Sequence, residues 1–118
     1  MNKFYFVISS FLVVGFYVMI NQNVVYASES GLVREANTSF SNQNYDEALG
    51  LYNEALVAKP NSDVLNFNIG TVHYKKEDYS KAIEFFNKAL ITEDKELEAK
   101  CNYNIGNCKY RMANLKAN

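Results

Sequence analysis

From Tyr45 onward the apolar positions recur with the period of an α-helix. Ala48, Leu49, Tyr52, Ala55 and Leu56 stand at i, i+1, i+4, i+7 and i+8, one stripe of a helix over about 45–58. The stripe returns as Ala82, Ile83, Phe86, Ala89 and Leu90, which predicts a second helix over about 79–92. The two stretches are 34 residues apart: Tyr45, Ala48, Asn53, Ala55 and Leu56 match Tyr79, Ala82, Asn87, Ala89 and Leu90. A third copy starts further on, where Phe67-Asn68-Ile69-Gly70 returns as Tyr103-Asn104-Ile105-Gly106 and Tyr74 as Tyr110. These lie 36 apart, so about two residues are inserted between Thr92 and Glu98, in a connection that accepts insertions at little cost. A period in this range predicts a stacked helical-repeat protein, in which each unit is a pair of helices that buries its apolar face against its neighbours.

Residue size explains how the pairs pack. Gly70 in a first helix and Ala82 and Ala89 in a second permit close approach, and Phe86 fills the space beside them. Lys59-Pro60-Asn61-Ser62 separates two units. Pro60 cannot continue the preceding helix, and Asn61 or Ser62 can cap the next.

These residues carry a resemblance to the tetratricopeptide repeat, whose pattern is a small residue in the first helix, then Ala, a large aromatic and Ala in the second, then Pro. Ala36, Ala48, Tyr52, Ala55 and Pro60 fill those places in unit one, and Gly70, Ala82, Phe86 and Ala89 in unit two. The usual Trp of the first helix is replaced by Leu32, Asn66 and Asn102, and Asp94 stands where unit two would have Pro, changes expected to weaken individual repeats. The resemblance implies an all-α fold: an antiparallel helix-pair solenoid with two repeats plus a partial third repeat or capping helix. Its units fall at about 29–62, 63–96 and 97–118. The longer connection through Glu98-Ala99-Lys100 into Tyr103-Asn104-Ile105-Gly106-Asn107 is also similar to envelope-associated repeat proteins encoded in bacterial aerotolerance (Bat-type) operons.

The leader bears on location. Met1-Asn2-Lys3 gives a short positive start, Phe4 to Ile20 is uncharged and largely apolar, and Val25-Tyr26-Ala27 follows a polar stretch. This is the layout of a secretory signal peptide cut after Ala27, leaving a domain of residues 28–118. The rival reading is an uncleaved membrane anchor, although seventeen helical residues span about 26 Å, slightly less than the roughly 30 Å hydrocarbon core. The protein is therefore expected to be exported, to a periplasm or the extracellular space, or to be anchored facing outside the cytoplasm. No cysteine lies near the cut, so a lipid anchor is not indicated.

Charge narrows the partners. Without the leader, eleven basic and thirteen acidic side chains remain, a balance that offers nothing to nucleic acid. The last segment is locally basic, with Lys100, Lys109, Arg111 and Lys116 and no acid after Ala99. Cys101 and Cys108 are seven residues apart on one expected helix, about 10.5 Å along its axis and too far to form a disulfide with each other. They read as small packing residues. Catalysis finds no support: the single histidine, His73, has no serine or cysteine at a nucleophile–base spacing, and the five glycines form no phosphate loop. No metal or cofactor is expected.

The resemblance implies that partners are proteins or peptides, bound on a concave face lined by the first helices. That face would comprise Val33, Asn37 and Phe40, then Phe67, Thr71 and Tyr74, then Tyr103, Asn107 and Tyr110, with Lys75 and Arg111 beside them. Each triplet is spaced i, i+4, i+7 and so shares a helix face. Aromatic and amide groups suit an extended peptide, rings covering apolar side chains and amides bonding its backbone. Tyr74 and Tyr110 serve equally well as core filler. Relatives that grip a C-terminal carboxylate use Lys and Asn, then Asn, then Lys and Arg; here those places hold Val33, Asn37, Thr71, Tyr103 and Asn107, so only Asn37 agrees. Ala113-Asn114-Leu115-Lys116-Ala117-Asn118 reaches the place where unit three should turn. The helix over about 96–112 is then a closing cap or part of a longer array, and its exposed side offers a surface for another copy or a partner.

Overall fold

A computed structural model describes residues 30–117 of the chain. The leader expected at Met1–Ala27 lies outside the described residues. Helix α1 covers residues 30–41, followed by α2 (Tyr45–Ala58), α3 (Asp63–Lys75), α4 (Tyr79–Ala89) and α5 (Lys95–Ala117), and no strand occurs among the described residues. Helix α2 packs on α3, α3 on α4 and α4 on α5, with a lesser contact between α3 and α5. This is the all-α helix-pair arrangement expected from the 34-residue period.

The local chemistry at the helix ends is specific. Ser62, not Asn61, caps α3: its side chain accepts from the Leu65 amide at 3.2 Å. Asp78 caps α4 by accepting from the Lys81 amide at 3.3 Å. Asp94, expected to weaken its unit for want of Pro, instead starts α5. Its Oδ1 accepts from the amides of Glu96 at 2.9 Å and Leu97 at 3.3 Å, satisfying donors that the first turn of a helix leaves open.

Two expected boundaries move. Helix α4 stops at Ala89 rather than 92, where Leu90 and Thr92 close turns back onto Phe86 and Ala89. Helix α5 begins at Lys95 and runs to Ala117, without the turn expected near Ala113. Ala113, Leu115, Lys116 and Ala117 favour helix, and neither Gly nor Pro interrupts them.

The core forms two clusters that meet at α3. Ala36, Ala48, Tyr52, Ala55, Leu65, Ile69 and Val72 are buried in the first. Tyr79, Ala82, Phe86, Ala89, Cys101 and Cys108 are buried in the second, with Phe67 and Tyr74 of α3 packed against them. The close approach of α3 and α4 depends on Gly70, where a Cβ would lie 2.8 Å from Cδ1 and Cε1 of Phe86. The two cysteines are free and fully buried, and burial pushes both thiols above their ordinary range.

Candidate partner-binding groove

Helices α1, α2 and α3 line a cavity of about 160 Å³ with Asn37 and Phe40, Tyr52, and Phe67, Asn68 and Thr71 respectively. Its walls are the rings of Phe40, Tyr52 and Phe67, and its polar groups are all uncharged. Each wall is fixed from behind. Phe40 tilts against Tyr45 at 5.6 Å between ring centroids, and Phe67 against Phe86 at 5.6 Å. Tyr52 is buried within the first core cluster, and burial raises its phenol above the ordinary value.

The polar groups are partly committed. Tyr52 donates its hydroxyl to Oδ1 of Asn37 at 2.5 Å, so the Asn37 amide nitrogen is left to donate elsewhere. Thr71 donates to the carbonyl of Phe67 at 2.9 Å and keeps its oxygen lone pairs for a further donor. Asn68 makes no side-chain hydrogen bond among the described residues, so both its carbonyl and its amide nitrogen are open to a ligand.

Of the eleven side chains expected to line the face, Asn37, Phe40, Phe67 and Thr71 meet at this cavity. The other seven lie elsewhere. Val33 packs against the first core cluster. Tyr74 belongs to the contact between helices: its ring meets Tyr79 edge-on at 5.5 Å, and the phenols of Tyr74 and Tyr79 draw the nearby Arg111 guanidinium above its ordinary range. Lys75 is exposed at the end of α3. Tyr103 and Tyr110 are 71% and 67% exposed on α5, and Asn107 is half-buried on the same helix.

Sequence reasoning missed Tyr52 and Asn68 as cavity residues. Tyr52 belongs to the packing stripe, yet its hydroxyl needs a partner that Phe86 at the equivalent place of the next unit does not, and that difference is the signal the sequence carries. Asn68 stands three residues before Thr71 and so shares its side of the helix.

Elsewhere, among the described residues, no group of three or more His, Cys, Asp or Glu is placed to hold a metal ion, and no helix is long and apolar enough to cross a membrane. His73 is buried and stacks on Phe85 at 5.5 Å between ring centroids, with Asp78 4.0 Å from its Nδ1.

Comparison with known proteins agrees with this architecture. Residues 65–90, which contain most of α3 and all of α4, match the family model of the tetratricopeptide repeat. The human intraflagellar transport protein 88 homolog is 34% identical over 92 residues, an alignment covering 74% of this chain. The chain spans only 11% of that relative's length. Among solved structures, the tetratricopeptide domain of Sgt2 from Aspergillus fumigatus superposes with a TM-score of 0.65 at 24% identity, covering 75% of this chain and 57% of that one. That likeness shows the fold.

Proposed function

With a tetratricopeptide-repeat fold as the premise, we propose that this chain is a non-enzymatic scaffold that captures an extended segment of a protein partner in the cavity lined by α1, α2 and α3. The carrying observation is the pairing of that cavity's size with its lining. At about 160 Å³ it matches the roughly 150 Å³ of an apolar protein cavity that accepts benzene, so it suits one side chain the size of Leu or Phe. Phe40, Tyr52 and Phe67 cover that side chain, while Asn37 and Asn68 bond the main chain on either side. With no charge in the lining, the grip does not depend on a terminal carboxylate.

The test is selection of peptides from a random library on the full chain, followed by titration of those recovered. Recovered peptides should share one Leu-, Ile- or Phe-sized residue and bind equally well when C-terminally amidated. Asn68→Ala should weaken them about tenfold with an unchanged melting curve, since that side chain has no internal partner to lose. Loss of binding on amidation, or indifference to Asn68→Ala, would remove the cavity from the function.

The layout of Met1–Ala27 supports a place for this scaffold outside the cytoplasm, in a bacterial cell envelope. Intact mass from native cells tests it: a soluble product starting at Ser28 supports cleavage and export, and a membrane-bound product retaining Met1 supports an anchored subunit of an envelope complex. A soluble cytoplasmic product with the leader intact contradicts both.

A further inference from the structure

Two hydroxyls line the cavity, those of Tyr52 and Thr71, and each has a single proton to donate. Tyr52 donates to Oδ1 of Asn37 at 2.5 Å, and Thr71 to the carbonyl of Phe67, one turn back on α3, at 2.9 Å. Toward the cavity both oxygens therefore act only as acceptors. Asn37, whose Oδ1 is taken by Tyr52, offers the N–H groups of its amide, and Asn68 offers an acceptor and a donor. With these two amides given to the partner's main chain, the oxygens of Tyr52 and Thr71 are left for the side chain that enters. Thr71 is the more open of the two: it is half-buried, whereas Tyr52 is 3% exposed and tied to Asn37.

The chemistry of the entering side chain follows. An aliphatic residue or Phe covers the Thr71 oxygen without bonding it, and an acceptor shut off from water without a donor is costly. Lys and Arg donate, but they bring a charge that no carboxylate in the lining balances. The rings of Phe40, Tyr52 and Phe67 favour another ring among them, and a cavity of this size holds one of benzene's dimensions rather than the larger indole. We propose, resting on the groove reading above, that the anchoring side chain of the partner is a tyrosine and that Thr71 selects it. The phenol packs among the three rings and donates its O–H to Oγ1 of Thr71. Phe67 serves twice, since its ring covers the phenol and its carbonyl takes the Thr71 proton, which holds Thr71 as an acceptor. Thr71 is thereby the specificity-determining residue of the groove.

The probes are C-terminally amidated peptides of one sequence, Gly-Ser-Ala-X-Ala-Ser-Gly with X as Tyr, Phe or Leu. They are titrated into the isotope-labelled full chain and followed by the amide shifts of Phe67, Asn68 and Thr71, which read dissociation constants into the millimolar range. The tyrosine peptide should bind about tenfold tighter than the phenylalanine peptide, the effect of one hydrogen bond and of the acceptor left unpaired without it. Thr71→Val, of nearly the same shape, should bring that ratio to about one and leave the phenylalanine peptide as tight or tighter, whereas Thr71→Ser keeps the acceptor and should preserve the ratio. A purely structural Thr71 moves all the peptides together and leaves the ratio unchanged in Thr71→Val. That result, or equal affinity of the tyrosine and phenylalanine peptides for wild type, overturns the proposal; if Asn68→Ala still weakens every peptide, the groove reading stands. No saturable shift with any peptide, or shifts that ignore Asn68→Ala, overturns the groove and this inference with it.

Discussion

The hydroxyl of Tyr52 donates to Oδ1 of Asn37, which ties the ring filling the first core cluster to an amide at the edge of the cavity. Packing and recognition thus share one bond. Tyr52→Phe keeps the ring and removes the tie, at an expected cost of about 1 kcal/mol in stability. Peptides held in the cavity should weaken several-fold as the Asn37 amide loses its orientation. Thermal melts read the first effect and anisotropy titrations the second, and an unchanged affinity would separate Asn37 from binding.

Two glycines at equivalent repeat positions should respond in opposite directions to the same substitution. Gly70→Ala drives a methyl into the Phe86 ring, which is fully buried, and should cost about 1–3 kcal/mol. Gly106→Ala meets open space within a helix and should gain about 0.5–1 kcal/mol. Urea denaturation of the two variants checks the pair, and a shared sign would refute it.

Acid should destabilise the fold through His73. Burial holds its imidazole below the ordinary 6.5, despite the upward pull of Asp78, and Lys81 and Lys76 push it down further. The unfolded chain therefore takes up this proton first as pH falls. The contribution is intact above about pH 6.5 and is lost as pH drops below it toward the folded value. Melting temperatures of wild type and His73→Phe, compared from pH 7.5 to 5, should diverge on the acid side, the variant declining less. Parallel curves would mean that His73 titrates alike in both states.

The thiols should be silent while the fold holds. Cys101 and Cys108 are buried with raised pKa values, so thiolate is both scarce and shielded. Reaction with Ellman's reagent should run about a hundredfold or more slower in native protein than in urea. Fast labelling of either residue without denaturant would contradict the packing of α4 on α5.

Much of the architecture was readable because repeated packing demands repeated residues. The stripe from Ala48 to Leu56 marks α2 with its bounds, since Pro60 and Ser62 force the break that follows. The pairing of Gly70 with Phe86 was legible for the same reason: a gap in one helix is explained by bulk in the next. Other features left no trace in residue type. Gln43 and Glu77 adopt left-handed backbone at φ 63° and 62°, where Asn44 and Asp78 bond back to Ser39 and His73, yet neither residue type advertises that conformation. Only their separation of 34 residues ties them together. The cavity was half legible, because a periodicity of positions finds Asn37, Phe40, Phe67 and Thr71 but cannot tell whether Tyr74 turns toward a groove or toward Tyr79.

Each helix from α2 to α5 rests mainly on those next to it in sequence, and this has a kinetic meaning. Few distant segments must find one another, so loop-closure entropy is small and folding should be fast. Helices α3 and α4 have neighbours on both sides and are the natural place for structure to nucleate, with growth outward in either direction. Under native conditions opening should run the other way, from the ends inward. Amide hydrogen exchange would then rise along α5 toward Ala117 and be slowest near Ile69 and Val72, a gradient of lifetimes laid along a chain whose sequence merely repeats.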